Sequence, residues 1–235
     1  MNESAPGNPM PHTPATPEAW AFLESGEQKR TFSAPLGETS QGRLAFLGGA
    51  SRVTLRVEPS MPELFRARFE GPVPEVRVQG GSVSVRYQLS FSDWLQCVLD
   101  RGGQDVELTL NGAIPWQLDF HGGVSEVSGD LSRLRLSGLE VAGGASKLQL
   151  RLPRPTNVVP IHIHGGASQV RLYRPLGTGA RVEIAGGVSH LAFDEQRLGA
   201  IGGYTRLETP GLEDRLSRYE IIVDGGASHL TVDAR

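Results

Sequence analysis

His162 and His164 lie two residues apart in the run Ile161-His-Ile-His. On an extended chain both imidazoles fall on one face, close enough to share a metal ion. They are weak metal candidates, because no third ligand joins them. His121 occupies the place before its Gly-Gly pair that His164 occupies before its own. Ala142 fills the intervening unit, so the two histidines are expected two strand spacings apart, about 9.6 Å. Ile161 and Ile163 take the inward positions, which leaves His162 and His164 pointing to solvent. Ser189 and His190 are adjacent, so on a regular strand they face opposite sides and do not form a nucleophile and its base. The glycine pairs lack the strand-loop-helix setting and the lysine of a phosphate-binding loop. Asp119, Asp130, Asp194, Asp224 and Asp233 fall at strand ends or turns. Polysaccharide cleavage needs instead carboxylates clustered along one groove. The expectation is a protein that is not an enzyme and holds no cofactor.

Composition narrows the partners. The chain has 235 residues, with 23 Lys+Arg against 26 Asp+Glu, a net charge of −3. That balance does not suit a protein that tracks nucleic-acid phosphates. One cysteine, Cys97, excludes an internal disulfide framework and a thiolate-rich metal site, and it favours a reducing compartment, here the cytoplasm. The opening residues lack a basic start followed by an apolar run, and no stretch approaches the ~18 apolar residues of a membrane span, so no integral membrane segment is expected.

The elements that carry these residues announce themselves through glycine. Nine Gly-Gly pairs begin at Gly48, Gly80, Gly102, Gly122, Gly143, Gly165, Gly186, Gly202 and Gly225. From Gly80 onward the steps run from 20 to 23 residues, apart from one of 16, and self-similarity at such a period marks a stacked fold. In seven pairs the glycines are followed by a small or mixed residue, then Ser or Thr, then a variable residue, then an aliphatic one, as in Gly143-Gly-Ala-Ser-Lys-Leu. The pairs at Gly80 and Gly102 lack that serine and count as degenerate. The expected corners are Gly48, Gly49, Gly122, Gly123, Gly143, Gly144, Gly165, Gly166, Gly186, Gly187, Gly225 and Gly226, with the second glycine supplying a positive φ at Gly144 and Gly166. The hydroxyl column comprises Ser51, Ser125, Ser146, Ser168, Ser189, Thr205 and Ser228, expected to face inward and satisfy backbone groups at the corner. Arg52, Glu126, Lys147, Gln169, His190, Arg206 and His229 share the variable position, which reads as an outward surface ladder.

After each corner the chain alternates, as in Lys147-Leu-Gln-Leu-Arg-Leu, the pattern of a half-buried strand. A Pro-rich bend at Pro153, Pro155 and Pro160 and a second alternating run complete one unit. The fold expected is all-β: a single-stranded parallel β-helix, or β-solenoid, with coils of about 21 residues, in which like residues stack on like. The alternative is an antiparallel hairpin meander or sandwich with Gly-Gly as the hairpin turn. Residues 1–16 hold four prolines and read as a disordered tail. Residues 17–26 read as a short helix, a possible N-terminal cap. Residues 27–235 form the solenoid, with degenerate coils before about 115 and regular coils over 116–235. Ser92 to Arg101 is a second helical candidate.

From Trp116 onward the chain resembles a family of uncharacterised bacterial proteins that repeat Gly-Gly-Ala-Ser-x-Leu, similar to putative-adhesin β-helical domains and to the toast-rack domains of cell-envelope stress proteins. The residues that carry the resemblance are Trp116-Gln-Leu-Asp-Phe-His-Gly-Gly-Val-Ser, Asp130-Leu-Ser-Arg-Leu, Gly143-Gly-Ala-Ser-Lys-Leu, Leu198-Gly-Ala-Ile-Gly-Gly and Tyr219-Glu-Ile-Ile-Val-Asp-Gly-Gly-Ala-Ser. The resemblance implies a parallel β-helix and a bacterial source, and it supplies no catalytic residues.

The function expected is a non-catalytic scaffold or protein-interaction module that presents polar ladders on a rigid solenoid. Two alternatives stand beside it: a carbohydrate-binding or carbohydrate-acting β-helix, and a regulator of an envelope-stress or signalling system, the latter from resemblance alone. The last unit, Tyr219 to Arg235, ends the chain with no helix to cover it. That suggests self-association through the C-terminal coil, or capture of a protein partner there.

Overall fold

The computed structural model describes residues 29–48, 50–71, 73–87 and 105–235. The tail expected over 1–16, the helix expected over 17–26, the helical candidate Ser92 to Arg101, Gly49 and the pair at Gly102 lie outside the described residues. Every regular element among the described residues is a strand: β1 (Lys29–Pro35), β2 (Gly42–Leu47), β3 (Ala50–Glu58), β4 (Glu63–Glu70), β5 (Glu75–Gln79), β6 (Ser82–Arg86), β7 (Asp105–Asn111), β8 (Pro115–His121), β9 (Val124–Asp130), β10 (Arg135–Ala142), β11 (Ala145–Arg151), β12 (Val158–His164), β13 (Ala167–Arg174), β14 (Gly179–Ile184), β15 (Val188–Phe193), β16 (Gln196–Leu198), β17 (Thr205–Glu208), β18 (Arg218–Val223) and β19 (Ala227–Ala234).

The strands form two sheets. One runs β1-β4-β7-β3-β9-β11-β13-β19-β15-β16 and the other β17-β14-β18-β12-β10-β8-β2-β6-β5. A strand of the second sheet, a Gly-Gly corner and a strand of the first make one rung, and successive rungs stack in parallel register. Leu118 lies beside Leu139, Leu139 beside Ile161, Ile161 beside Ile221 and Ile221 beside Val182. On the facing sheet Val127, Leu148, Val170, Leu230 and Leu191 form the matching column. These side chains are at most 2% exposed, so the alternation legible in each strand builds one continuous apolar core. The stack is all-β with mostly parallel pairing.

Antiparallel strands close both ends. At one end β1, β4 and β7 pair antiparallel, and β5 folds onto β6 through Gly80 (φ 54) and Gly81 (φ 83), a two-residue hairpin with both central residues left-handed. The hairpin use of Gly-Gly is therefore realised here, which accounts for the missing serine at this pair. At the other end β17 pairs antiparallel with β14 and β16 with β15.

Rungs do not follow the order of the chain. After β12 and β13, the next strands β14 and β15 leave one rung position vacant, and the last strands of the chain fill it: β18 lies between β12 and β14, and β19 between β13 and β15. This corrects the expectation of a bare C-terminal coil. Both edges of Ala227–Ala234 are paired, so it offers no free edge for a second copy. The exposed end is made instead by the short strands β16 and β17. There Arg206 pairs with Glu208 and lies 3.9 Å from Glu183, and Arg181 lies 2.5 Å from Glu208, a charged edge that discourages strand addition.

Candidate functional site

The corners differ from expectation in which glycine is constrained. The first of each pair takes the left-handed backbone at Gly48 (φ 89), Gly122 (φ 100), Gly143 (φ 111) and Gly165 (φ 96). A Cβ on Gly122 would meet Gly48 backbone atoms at 3.0 Å, and one on Gly165 would lie 2.9 Å from Gly143 O. At Gly186 and Gly225 the backbone is not left-handed, but a Cβ would overlap the carbonyl oxygen of the next rung's glycine, Gly225 O and Gly165 O respectively. The second glycines Gly123, Gly144, Gly166 and Gly226 have no left-handed φ, and a Cβ there would meet nothing within 4 Å. The positive φ expected at Gly144 and Gly166 belongs to Gly143 and Gly165, because stacking presses the first glycine onto its neighbour and leaves the second at the surface.

The hydroxyls also lie elsewhere than expected. In Val124-Ser-Glu-Val, Ala145-Ser-Lys-Leu, Ala167-Ser-Gln-Val, Val188-Ser-His-Leu and Ala227-Ser-His-Leu the first and last residues are buried, while the serine is exposed and its successor exposed or half-buried. Two consecutive residues face outward because the strand bends at the serine, where the ladder skips a residue in register. Ser125, Ser146, Ser168, Ser189 and Ser228 thus point away from the core. Ser189 and His190 share the outer side rather than opposing one another. Thr205 leaves the column altogether: it lies on β17 opposite Ile184 in the other sheet. Nothing is described for the side chain of Ser51.

Together these residues line a groove of about 840 Å³ that runs along five rungs. Its floor repeats second glycine, Ala or Val, and Ser, from Gly123-Val124-Ser125 through Gly226-Ala227-Ser228, and Ala200 and Ile201 close one end. Ile201 is held there by reciprocal backbone hydrogen bonds with Val188, at 3.0 and 2.7 Å. Beside the groove runs the outward ladder. Asp105 accepts from Arg52 at 2.9 Å, Arg52 lies 3.5 Å from Glu126, and Lys147 donates to Glu126 at 2.7 Å, an alternation of signs across adjacent strands. The row continues through Gln169 to His229 and His190, whose rings stack at 4.6 Å with planes 5° apart.

The hydrogen bond from Lys147, opposed in part by burial, holds the Glu126 carboxyl below its ordinary range. A lowered folded value contributes stability above the unfolded titration, near pH 4.3 for a model Glu, and that contribution disappears as pH falls through the folded value. Lys147→Met is expected to move the Glu126 midpoint upward in a carbon-detected NMR titration. An unchanged midpoint would show that the ladder contact is not made in solution.

The remaining sequence candidates lie on the outer face of the other sheet. His162 and His164 are half-buried, with ring centroids 5.6 Å apart, and His164 Nδ1 lies 2.5 Å from Asp224 Oδ2. Ala142 separates His121 from His164 in register. Among the described residues no three His, Cys, Asp or Glu side chains converge as metal ligands. Asp119 is fully buried, and each of its oxygens accepts a hydrogen bond, Oδ2 from Arg43 Nε at 2.6 Å and Oδ1 from Gln117 Nε2 at 2.9 Å. Sequence reasoning missed the groove, although its signal was available: a second glycine recurs at Gly123, Gly144, Gly166, Gly187 and Gly226, where no left-handed backbone demands it.

The family described as the N-terminal domain of toast_rack, DUF2154, matches residues 24–173. Among curated proteins none matches the chain in sequence. The structure of a protein described as a "putative cell adhesion protein" from Clostridium sporogenes is similar, with a TM-score of 0.64 and 14% identity over 91% of this chain and 100% of that one. A "putative adhesin" from Bacteroides fragilis aligns over 89% of this chain and 98% of its own at 8% identity, with a TM-score of 0.23. The first of these likenesses is one of fold. Among the described residues no helix is long and apolar enough to cross a membrane.

Proposed function

The chain belongs to the family of the toast_rack N-terminal domain, and from that premise we propose that it works as a non-catalytic interaction module whose corner groove receives a protein partner. The observation that carries this reading is the column of second glycines. At Gly123, Gly144, Gly166 and Gly226 a Cβ would meet no neighbouring atom within 4 Å, yet each position is glycine. The fold has no steric need for them, whereas a partner lying along the groove has one, since every added Cβ would stand in its path. The floor suits docking rather than reaction. It offers exposed hydroxyls and small apolar surface along five rungs, the kind of surface against which an extended partner can lie. The coils of about 21 residues set the repeat along which contacts recur. The adhesion named for the structural neighbour is in keeping with this reading, and a regulatory partner in the cell envelope is compatible with the family.

Filling the groove separates the fold from the docking. Gly144→Gln with Gly166→Gln is expected to leave the unfolding free energy in urea within about 1 kcal/mol of the parent, as for exposed positions free of backbone strain. The protein that crosslinks to the parent chain in its own cell extract is expected to be lost. Crosslinking of the same partner to the filled variant at parental yield would overturn the reading.

A further inference from the structure

We infer that His229 and His190 form a two-imidazole site for a borderline divalent transition-metal ion, of which Zn²⁺ is the probe. The ladder that carries them is saturated with ion pairs at one end, where Asp105, Arg52, Glu126 and Lys147 neutralise one another. It then stops pairing. His229 and His190 make no hydrogen bond and no ion pair among the described residues, and both are exposed. Two basic nitrogen ligands therefore stand side by side on adjacent, rigidly paired strands. His164 differs, because Asp224 occupies its Nδ1.

The strand register places the two imidazoles within reach of one ion. The strands register His190 directly beside His229, and the ring planes are parallel within 5° at a centroid separation of 4.6 Å. A tetrahedral ion with Zn–N bonds of about 2.0–2.1 Å needs its two nitrogens about 3.4 Å apart. Imidazole lone pairs lie in the ring planes, so both exposed rings must turn out of the stack about their side-chain torsions before their nitrogens converge on one ion; neither strand has to move. Gln169, next in the row, brings an amide oxygen on the adjoining strand as a candidate third donor, and water completes an open coordination sphere. The ion would tie the last strand of the chain, β19, to β15, one of the two strands that enclose it.

The full chain, freed of metal with a chelator, is titrated with zinc chloride by calorimetry, and its melting temperature is followed at each zinc concentration. One ion is expected to bind and to raise the melting temperature in step with occupancy. His190→Ala and His229→Ala are each expected to weaken binding at least about tenfold and to abolish the thermal shift. His162→Ala with His164→Ala is expected to change neither. Both ladder histidines are exposed, so their variants keep the parental melting temperature without metal, which separates lost ligation from lost folding. Absence of binding, binding unaffected by His190→Ala and His229→Ala, or binding that follows His162 and His164 would each overturn the site.

Discussion

Replacing Asp194 by alanine is expected to cost about 3 kcal/mol of folding stability, the lower end of the range for removing one partner of a buried ion pair, since Arg174 is enclosed while the Asp194 side chain is 30% exposed. Arg174 is 1% exposed, a charged side chain enclosed at the far end of β13. One of its guanidinium nitrogens donates to Asp194 Oδ2, while Nε and Nη1 find no partner among the described residues. The ring of Phe193 lies 5.8 Å from the guanidinium carbon and adds a second, weaker attraction. Asp194 does two further things. It takes a left-handed backbone (φ 52), which aspartate tolerates better than most residues, and its Oδ1 accepts from the backbone N–H of Ala234 at 3.1 Å. Alanine removes the countercharge and the cap, and it raises the strain. The buried guanidinium is the dominant cost, because it must either desolvate unpaired or pull the rung apart to reach water. Arg174→Met combined with Asp194→Asn tests that attribution. Removing the cation while keeping the turn is expected to recover more than half of the lost stability in urea unfolding. If the double variant is as unstable as Asp194→Ala, the turn and not the charge governs.

Arg174 also illustrates how far the sequence could be read. The all-β class, the two strands per unit and the parallel stacking of like on like were legible, because alternation in runs such as Lys147-Leu-Gln-Leu-Arg-Leu leaves one periodicity only. The rung order was not. Nothing in Tyr219 to Arg235 distinguishes a last coil at the end of a stack from one inserted between earlier coils, since each unit presents the same edges to both neighbours. The site was half legible. Gly-Gly and Ser were visible as columns, but strict alternation placed the serine inward. Val124 and Val127 are both buried with two outward residues between them, a bend that a period of two does not contain. His190 and His229 could be assigned to one outward row. That they adjoin each other depended on the inserted rung, because 39 residues separate them in the chain while one strand spacing separates them in the sheet. Buried Arg174 was invisible for a related reason: it ends a strand whose preceding residues read as an ordinary outward and inward alternation.

The inserted rung also sets the largest expected difference between two adjacent substitutions. Gly225→Ala is expected to destabilise by about 3 kcal/mol or more, above the usual range for overpacking, whereas Gly226→Ala is expected to be neutral or slightly stabilising. A Cβ on Gly225 would overlap the carbonyl oxygen and the adjoining backbone atoms of Gly165 on the neighbouring rung. Those are main-chain atoms flanked by His164 O and Gly166 O, which accept from Gly143 N–H and Ala145 N–H, each at 3.1 Å, so neither side can yield as a flexible side chain would. Relief requires β18 and β19 to shift along the stack. That shift strains Ala167 N–H to Gly226 O at 2.9 Å and Ala227 N–H to Gly187 O at 2.9 Å, the bonds that seat the last rung between its neighbours. Gly225 is in turn the residue on which Gly186 rests, since a Cβ there would overlap Gly225 O. A displacement at Gly225 therefore propagates to β14 and β15, and the whole end of the stack is affected together. One residue later the chain turns outward, and the methyl group of Gly226→Ala enters open space in the groove while reducing the freedom of the unfolded chain. Urea midpoints measured for both variants should differ by the full amount. Equal midpoints would refute the close stacking of the first glycines on which the corner, the inserted rung and the groove all depend.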